Sequence, residues 1–160
     1  KKLKWITDGK KTWCETRDGS KYEPAPLKNK NLHEMTLVTS KNHGNETLSN
    51  LIQKINFCKV KIMGSIGCKI ASIVQGECDI YICLSLPGNS SPKDWDFAAP
   101  ESILKAAGGA ITNLDNRELS YGQTNFQQGG VIVATSNKNT HGKICLEIKK
   151  IIQKSGIYPL

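Results

Sequence analysis

The feature that most constrains this sequence is a regular alternation of strand-like and helix-like segments from residue 35 onward. The strand-like runs are MTLVTS, CKVKIM and DIYICL. Between them, apolar residues recur at helical spacing over residues 48–55 and 66–74. Strands that alternate with helices in this way are typical of a sheet covered by helices. We therefore predict an α/β fold with a mixed sheet covered by helices.

Segments on both sides extend this pattern. LKWITD and KTWCETR, each followed by an Asp-Gly turn, predict a β-meander, and YEPAPLKNKNLHE predicts a surface loop. After DIYICL we predict a polar loop, a helix over FAAPESILKAAG, strands near AITNL and GVIVATS, and a last helix through EIKKIIQKS. The chain of 160 residues contains no internal repeat and no sign of a second domain, so we predict one domain.

Cysteine usage and hydropathy indicate the compartment. The six cysteines occur singly, without C-x-x-C pairs or the histidine spacing of a zinc site, and we interpret them as reduced core residues. Three disulfides are the alternative, which the lack of an export signal disfavours. No run of about 18 apolar residues occurs. The sequence thus predicts a soluble, cytoplasmic protein without a membrane partner.

The formal net charge of +8 allows two interpretations. It indicates either attraction to phosphate-bearing partners or an ordinary lysine-rich solvated surface. The lysines are spread along the whole chain, and no arginine-rich tract or aromatic-interleaved basic cluster appears. We therefore do not expect a nucleic-acid polymer as the partner.

The segment Asp94-Trp95-Asp96 carries the most informative acidic residues. We predict that Asp96 is the N-cap of the following helix, where first-turn amides would hold its carboxylate in a fixed direction. Such a carboxylate can ligate a hard cation, and a plain helix cap is the alternative. We expect Asp94 to point away from Asp96, because side chains alternate in an extended segment.

Two further strand-to-helix junctions carry polar groups. The Gly64–Lys69 turn offers helix N-terminal amides and an ammonium to an anion, although it lacks the Walker spacing and a plain turn is the alternative. The Ser40–His43 segment follows MTLVTS at the carboxyl end of a strand, where open α/β sheets bind ligands. Together with Asp96, these junctions predict a pocket for a phosphate ester.

The block WDFAAPESILKAAGGAITN resembles the W-D-x-A-A/C-P-E motif and A-G-G turn of the inositol monophosphatase superfamily. Within it, the sequence is most similar to the 3'(2'),5'-bisphosphate nucleotidases, whose order residues 36–135 follow without a break. The resemblance implies the C-terminal half of the layered α/β inositol-phosphatase fold. It also implies a Mg²⁺-dependent phosphatase that removes the 3'-phosphate from adenosine 3',5'-bisphosphate, a by-product of sulfur assimilation.

Site residues follow from this resemblance position by position. It implies that Asp96 binds a magnesium ion and contacts the substrate, and that four residues bind the nucleotide: Ser40, His43, Ser65 and Lys69. The segment here is Ser-Lys-Asn-His, where the family usually has arginine at the second position. A lysine lacks the bidentate fork of arginine, so no phosphate contact is assigned to Lys41.

The catalytic part of the family has no counterpart in these residues. Neither the paired glutamates nor the D-P-L/I-D-G-T/S signature occurs, and no catalytic residue is assigned. The resemblance therefore implies that residues 1–160 are a C-terminal substrate-binding portion, inactive alone, with an N-terminal catalytic half as partner. In the intact enzyme we expect in-line attack by a metal-activated water.

Two other functions stay open at this point. An inositol monophosphatase or a sugar bisphosphatase shares the W-D motif. A non-catalytic nucleotide- or RNA-binding module is suggested by the basic charge.

Overall fold

The structure, a computed structural model, describes residues 3–40, 46–123 and 125–158. The elements in these ranges are β1 (Lys4–Thr7), β2 (Thr12–Glu15), β3 (Lys21–Tyr22), a 3-10 turn (Leu32–Glu34), β4 (Thr36–Ser40), α1 (Glu46–Ile55), β5 (Lys59–Met63), α2 (Ile66–Val74), β6 (Ile80–Ser85), α3 (Asp94–Ala106), β7 (Ala110–Asn113), β8 (Gly130–Thr135) and α4 (Lys138–Ser155). None of these helices combines the length and the apolar character needed to cross a membrane.

The first three strands form a separate antiparallel sheet in the order β1-β2-β3. The turn between β1 and β2 is held by Asp8, whose Oδ1 accepts hydrogen bonds from the amides of Lys10 and Lys11 at 2.8 Å each. Gly9 takes a φ of 88°, a conformation that glycine adopts without strain. The predicted β-meander is therefore confirmed, and its strands β1 and β2 pack against α3.

The larger sheet has the strand order β5-β4-β6-β8-β7. Strand β4 runs parallel to both β5 and β6. Helix α1 connects β4 to β5 and helix α2 connects β5 to β6, as crossover connections between parallel strands do. Strand β8 runs antiparallel to β6 and to β7. This is the predicted mixed sheet.

Helices cover both faces of this sheet. On one face α1 and α4 pack against the side chains of Ile80, Ile82 and Leu84 from β6. On the other face α2 and α3 pack against Tyr81 and Cys83, because successive side chains of a strand point to opposite faces. The two apolar layers make a three-layer α/β/α arrangement, so the predicted fold class is confirmed.

A buried carboxylate joins the amino ends of β4 and β6. Asp79 Oδ2 accepts hydrogen bonds from the Thr36 amide at 2.8 Å and from Lys30 Nζ at 2.7 Å. The Asp79 amide in turn donates to the Thr36 carbonyl, and the Ser136 amide donates to the Asp79 carbonyl. These bonds fix the register of the central strands at one end of the sheet.

Two helix boundaries differ from the prediction. Helix α3 begins at Asp94, three residues before the predicted FAAPESILKAAG segment. Helix α4 begins at Lys138, ahead of EIKKIIQKS, with Asn137 as its N-cap accepting a hydrogen bond from the Asn139 amide at 3.0 Å. The early turns of α4 contain few apolar residues, so apolar spacing alone did not reveal them.

The interpretation of the cysteines is partly wrong. All six are free thiols, as expected. Cys14, Cys78 and Cys145 are buried, but Cys58 and Cys68 are exposed and therefore do not belong to the core. Cys68 lies on the solvent side of α2, and Cys58 lies in the bend before β5; the local sequence did not distinguish either position from a buried one.

Candidate active site

A cleft of about 560 Å³ opens at the carboxyl ends of β4, β5 and β6. These strands are parallel and adjacent, so the segments that follow them meet at one edge of the sheet. The cleft is lined by the end of β4, by the turn between β5 and α2, and by the loop from β6 to α3. Its volume is typical of a site for a small molecule.

Four of the five site residues predicted from the sequence line this cleft: Ser40, Ser65, Lys69 and Asp96. The fifth, His43, lies outside the described residues. The structure therefore brings together the three junctions that the sequence singled out, although they are separated by as much as 56 positions along the chain.

Lys69 is the most unusual residue of the cleft. Its side chain is only 1% exposed, and its Nζ donates to the Gly64 carbonyl at 2.6 Å. The ammonium also lies 5.3 Å from the centre of the Tyr81 ring. No salt bridge joins it to any carboxylate in the described part of the chain. Burial lowers the pKa of Lys69, because a desolvated ammonium is less stable than a hydrated one.

Ser65 is the N-cap of α2. Its Oγ accepts a hydrogen bond from the Cys68 amide at 3.1 Å, which leaves the hydroxyl proton for another acceptor. Because α2 begins at the cleft, the partial positive charge of its N-terminus lies there as well. Together with Lys69, this end of the cleft favours an anion.

Asp96 occupies a different position in its helix from the one predicted. The N-cap of α3 is Lys93, and Asp96 is the third helical residue. Its Oδ2 accepts a hydrogen bond from the Lys93 amide at 2.8 Å, so the carboxylate reaches back to the helix start. The N-cap prediction is wrong because the helix begins earlier, yet the carboxylate is still held by a backbone amide and lines the cleft.

Asp94 is not in an extended segment, as the prediction had assumed. It is the first residue of α3, it is buried, and it accepts hydrogen bonds from the Gly122 amide at 2.7 Å and from Gln128 Nε2 at 2.6 Å. Its carboxylate thus anchors the loop before β8 to the start of α3. This buried carboxylate has a structural role that the sequence did not indicate.

Three cleft residues on β6 were missed from the sequence: Tyr81, Cys83 and Ser85. The hydroxyl of Tyr81 lies within interaction range of the Ser40 and Cys83 side chains, and Cys83 lies within interaction range of Ser85. Burial raises the pKa of both Tyr81 and Cys83, so both are uncharged at neutral pH. The signal was present, because polar residues occupy every second position of YICLS.

The described residues do not form a complete magnesium site. Asp96 is the one carboxylate among the described residues that line the cleft. Nowhere in the described ranges do three or more His, Cys, Asp or Glu side chains cluster as metal ligands would. A carboxylate oxygen suits Mg²⁺, but this ion prefers about six oxygen ligands. Asp96 therefore offers the kind of oxygen ligand that Mg²⁺ prefers, but the described residues supply too few such ligands for a complete site.

Comparison with known proteins identifies the family. The model of the inositol monophosphatase family matches residues 1–153. The chain belongs to the inositol monophosphatase family. The predicted resemblance to this family and to its bisphosphate nucleotidase branch is confirmed.

The relatives of this chain within the inositol monophosphatase family are much longer than the segment that matches it. The 3'(2'),5'-bisphosphate nucleotidase CysQ of Buchnera aphidicola is 36% identical over 115 residues, which are 68% of this chain and 38% of that protein. The chain thus spans less than two fifths of the length of the curated relatives that it matches first.

Solved structures of inositol monophosphatases share the fold. SaIMPase-II of Staphylococcus aureus with bound inositol monophosphate has a TM-score of 0.64 at 20% identity, over 91% of this chain and 55% of that chain. The same protein with bound 2'AMP has a TM-score of 0.58 at 18% identity, over 91% and 56% of the two chains.

Proposed function

We propose that this chain is the C-terminal substrate-binding portion of a metal-dependent phosphatase that removes the 3'-phosphate from adenosine 3',5'-bisphosphate. The kinship with 3'(2'),5'-bisphosphate nucleotidases supports this activity. Recycling of this by-product of sulfur assimilation, in the cytoplasm, belongs to the same proposal. An N-terminal catalytic half is the partner that the proposal requires.

The observation that carries the proposal is the buried ammonium of Lys69 in the cleft. A lysine that is 1% exposed and has no carboxylate partner among the described residues retains much of the desolvation cost of its charge. A phosphate that enters the cleft would offset this cost. The Ser65 hydroxyl and the N-terminus of α2 lie beside the same position and favour an anion as well.

In this proposal the residues of the chain bind and orient the substrate. Lys69 and Ser65 contact one phosphate, and Ser40 and His43 contact the rest of the nucleotide. Asp96 supplies one ligand to Mg²⁺, with the remaining ligands coming from outside the described residues. When bound, such an ion would activate water and neutralise charge on phosphoryl oxygens.

Phosphate release by the full-length protein tests the proposal. We expect faster turnover of adenosine 3',5'-bisphosphate than of inositol 1-phosphate or fructose 1,6-bisphosphate, and loss of all activity on chelation of Mg²⁺. Asp96→Asn should lower kcat at least about 100-fold, because a metal ligand is lost. Asp115→Asn is the matched control, since Asp115 is exposed and pairs with Lys149 away from the cleft.

Other outcomes would support a different function. A preference for inositol 1-phosphate would assign the cleft to an inositol monophosphatase; the staphylococcal protein SaIMPase-II is known with bound inositol monophosphate. Binding to long RNA with a steep salt dependence, without affinity for the mononucleotide, would indicate a non-catalytic module. Either result would refute the proposed activity.

A further inference from the structure

A row of polar side chains runs along one face of β6, on the floor of the cleft. Tyr81, Cys83 and Ser85 alternate with Ile80, Ile82 and Leu84, which lie in the apolar layer on the opposite face. A central strand with helices on both faces is usually apolar on both sides. The polar face of β6 is therefore an exception that coincides with the cleft.

Tyr81 connects this row to two of the residues assigned to ligand binding. Its side chain is 2% exposed, and the strand register places Ser40 on the same face of the sheet, two residues beyond Val38, the β4 partner of Tyr81. The side chains of Ser40 and Cys83 both lie within interaction range of its hydroxyl. The face of its ring lies 5.3 Å from the Lys69 ammonium. One buried side chain thus lies beside a hydroxyl from β4 and an ammonium from α2.

The ammonium of Lys69 and the hydroxyl of Ser40 both need a neighbour that fixes their position. Lys69 has a long side chain whose ammonium donates to the Gly64 carbonyl, and within the described ranges the face of the Tyr81 ring is a further electrostatic contact. The hydroxyl of Ser40 rotates freely unless a partner fixes it. Ordering these groups before the ligand arrives removes part of the entropy cost of binding.

We propose that Tyr81 is a positioning residue for the phosphate-ester ligand: its hydroxyl orients Ser40, and its ring holds the ammonium of Lys69 in the cleft. This inference rests on the proposed function. Tyr81 acts through Ser40 and Lys69 and takes no part in proton transfer. Its loss should therefore weaken substrate binding and leave the chemical step unchanged.

Two substitutions separate the contributions of the hydroxyl and the ring. Tyr81→Phe keeps the ring under Lys69, and we expect KM for adenosine 3',5'-bisphosphate to rise about 3- to 10-fold at unchanged kcat. Tyr81→Leu removes both contacts, and KM should rise on the order of 30-fold. Tyr121→Phe is the matched control, because its hydroxyl bonds to Glu101 outside the cleft.

Double-mutant cycles distinguish positioning from general structural damage. If Tyr81 acts through Ser40, Tyr81→Phe should change KM less than about 2-fold in a Ser40→Ala background. Likewise, the additional effect of Tyr81→Leu should vanish in a Lys69→Met background. Additive effects in both backgrounds, or a KM for Tyr81→Phe equal to that of the wild type, would overturn the inference.

The same assay separates this inference from the proposed function. A wild-type protein that releases no phosphate from the bisphosphate removes the proposed function, and the role of Tyr81 with it. An active wild type whose Tyr81→Phe variant lowers kcat at constant KM removes the role of Tyr81 alone. Thermal melting of each variant shows whether it is folded, and Tyr81→Phe, which keeps the buried ring, decides the question if Tyr81→Leu unfolds.

Discussion

Acid should destabilise this fold through the buried His141. The imidazole is 1% exposed and lies between two threonines, with Nδ1 2.8 Å from Thr135 Oγ1 and Nε2 2.8 Å from Thr112 Oγ1. Burial lowers its pKa from 6.5 to about 4. The unfolded chain therefore binds a proton more readily than the folded chain, and stability is lost as pH falls from 6.5 towards 4. The loss amounts to about 2 kcal/mol at pH 5 and about 3 kcal/mol at pH 4.

Urea unfolding of the wild type and of His141→Gln, at about pH 7.5 and pH 5, measures this effect. Glutamine retains hydrogen-bonding groups but does not titrate, so the carboxylates that also titrate contribute equally to both proteins. The difference in free energy of unfolding between the two proteins should shrink by about 2 kcal/mol on acidification. A difference that stays constant between the two pH values would refute the assignment of a buried neutral imidazole.

Three further substitutions test the packing. Asp94→Ala should lower the free energy of unfolding by about 2–3 kcal/mol in urea melts, because it leaves the Gly122 amide and one N–H of the Gln128 side chain without an acceptor. Asp115→Ala, at an exposed ion pair, should change it far less. Gly109→Ala should lower the free energy of unfolding by more than about 2 kcal/mol, because the added methyl group would lie 2.6 Å from a carbonyl oxygen of β8. Gly67→Ala is the control: its methyl group meets no obstacle, so this variant should have a higher melting temperature. Lys69→Met should stabilise the fold by about 1 kcal/mol while weakening nucleotide binding measurably in calorimetry, and a destabilised variant would contradict an ammonium whose desolvation is only partly compensated.

The elements that the sequence predicted correctly are those encoded locally. The alternation of apolar spacings is a property of neighbouring residues, and it sufficed for the mixed sheet and its helices. The three polar junctions were also visible, because Ser40, the turn at Gly64 and Asp96 each follow a recognisable strand. Their convergence then follows from parallel strands that share one edge.

The start of α3 could not be predicted because it depends on distant residues. Asp94, Trp95 and Asp96 can form an extended cap or a first helical turn, and both are compatible with the local sequence. The choice is linked to the hydrogen bonds that Asp94 receives from Gly122 and Gln128, which lie 28 and 34 positions away. No local pattern contains that information.

The polar row of β6 was overlooked for a different reason. Tyrosine and cysteine are common in buried strands, so YICLS is compatible with a strand that is apolar on both faces. Only the position of the cleft shows that one face lines a cavity. Alternation along a strand identifies a distinct face, but it does not identify what that face contacts.

The hydrogen bonds of the Asp79 carboxylate influence the cleft, although Asp79 does not line it. A shift of β6 by a single residue would turn Tyr81 and Cys83 towards α1 and α4 and present isoleucines to the cleft. The bonds that oppose such a slip lie at the amino ends of β4 and β6, a full strand length from the ligand. Under the proposed function, a substitution at this remote anchor is therefore expected to disturb the cleft even though every residue that lines it is unchanged.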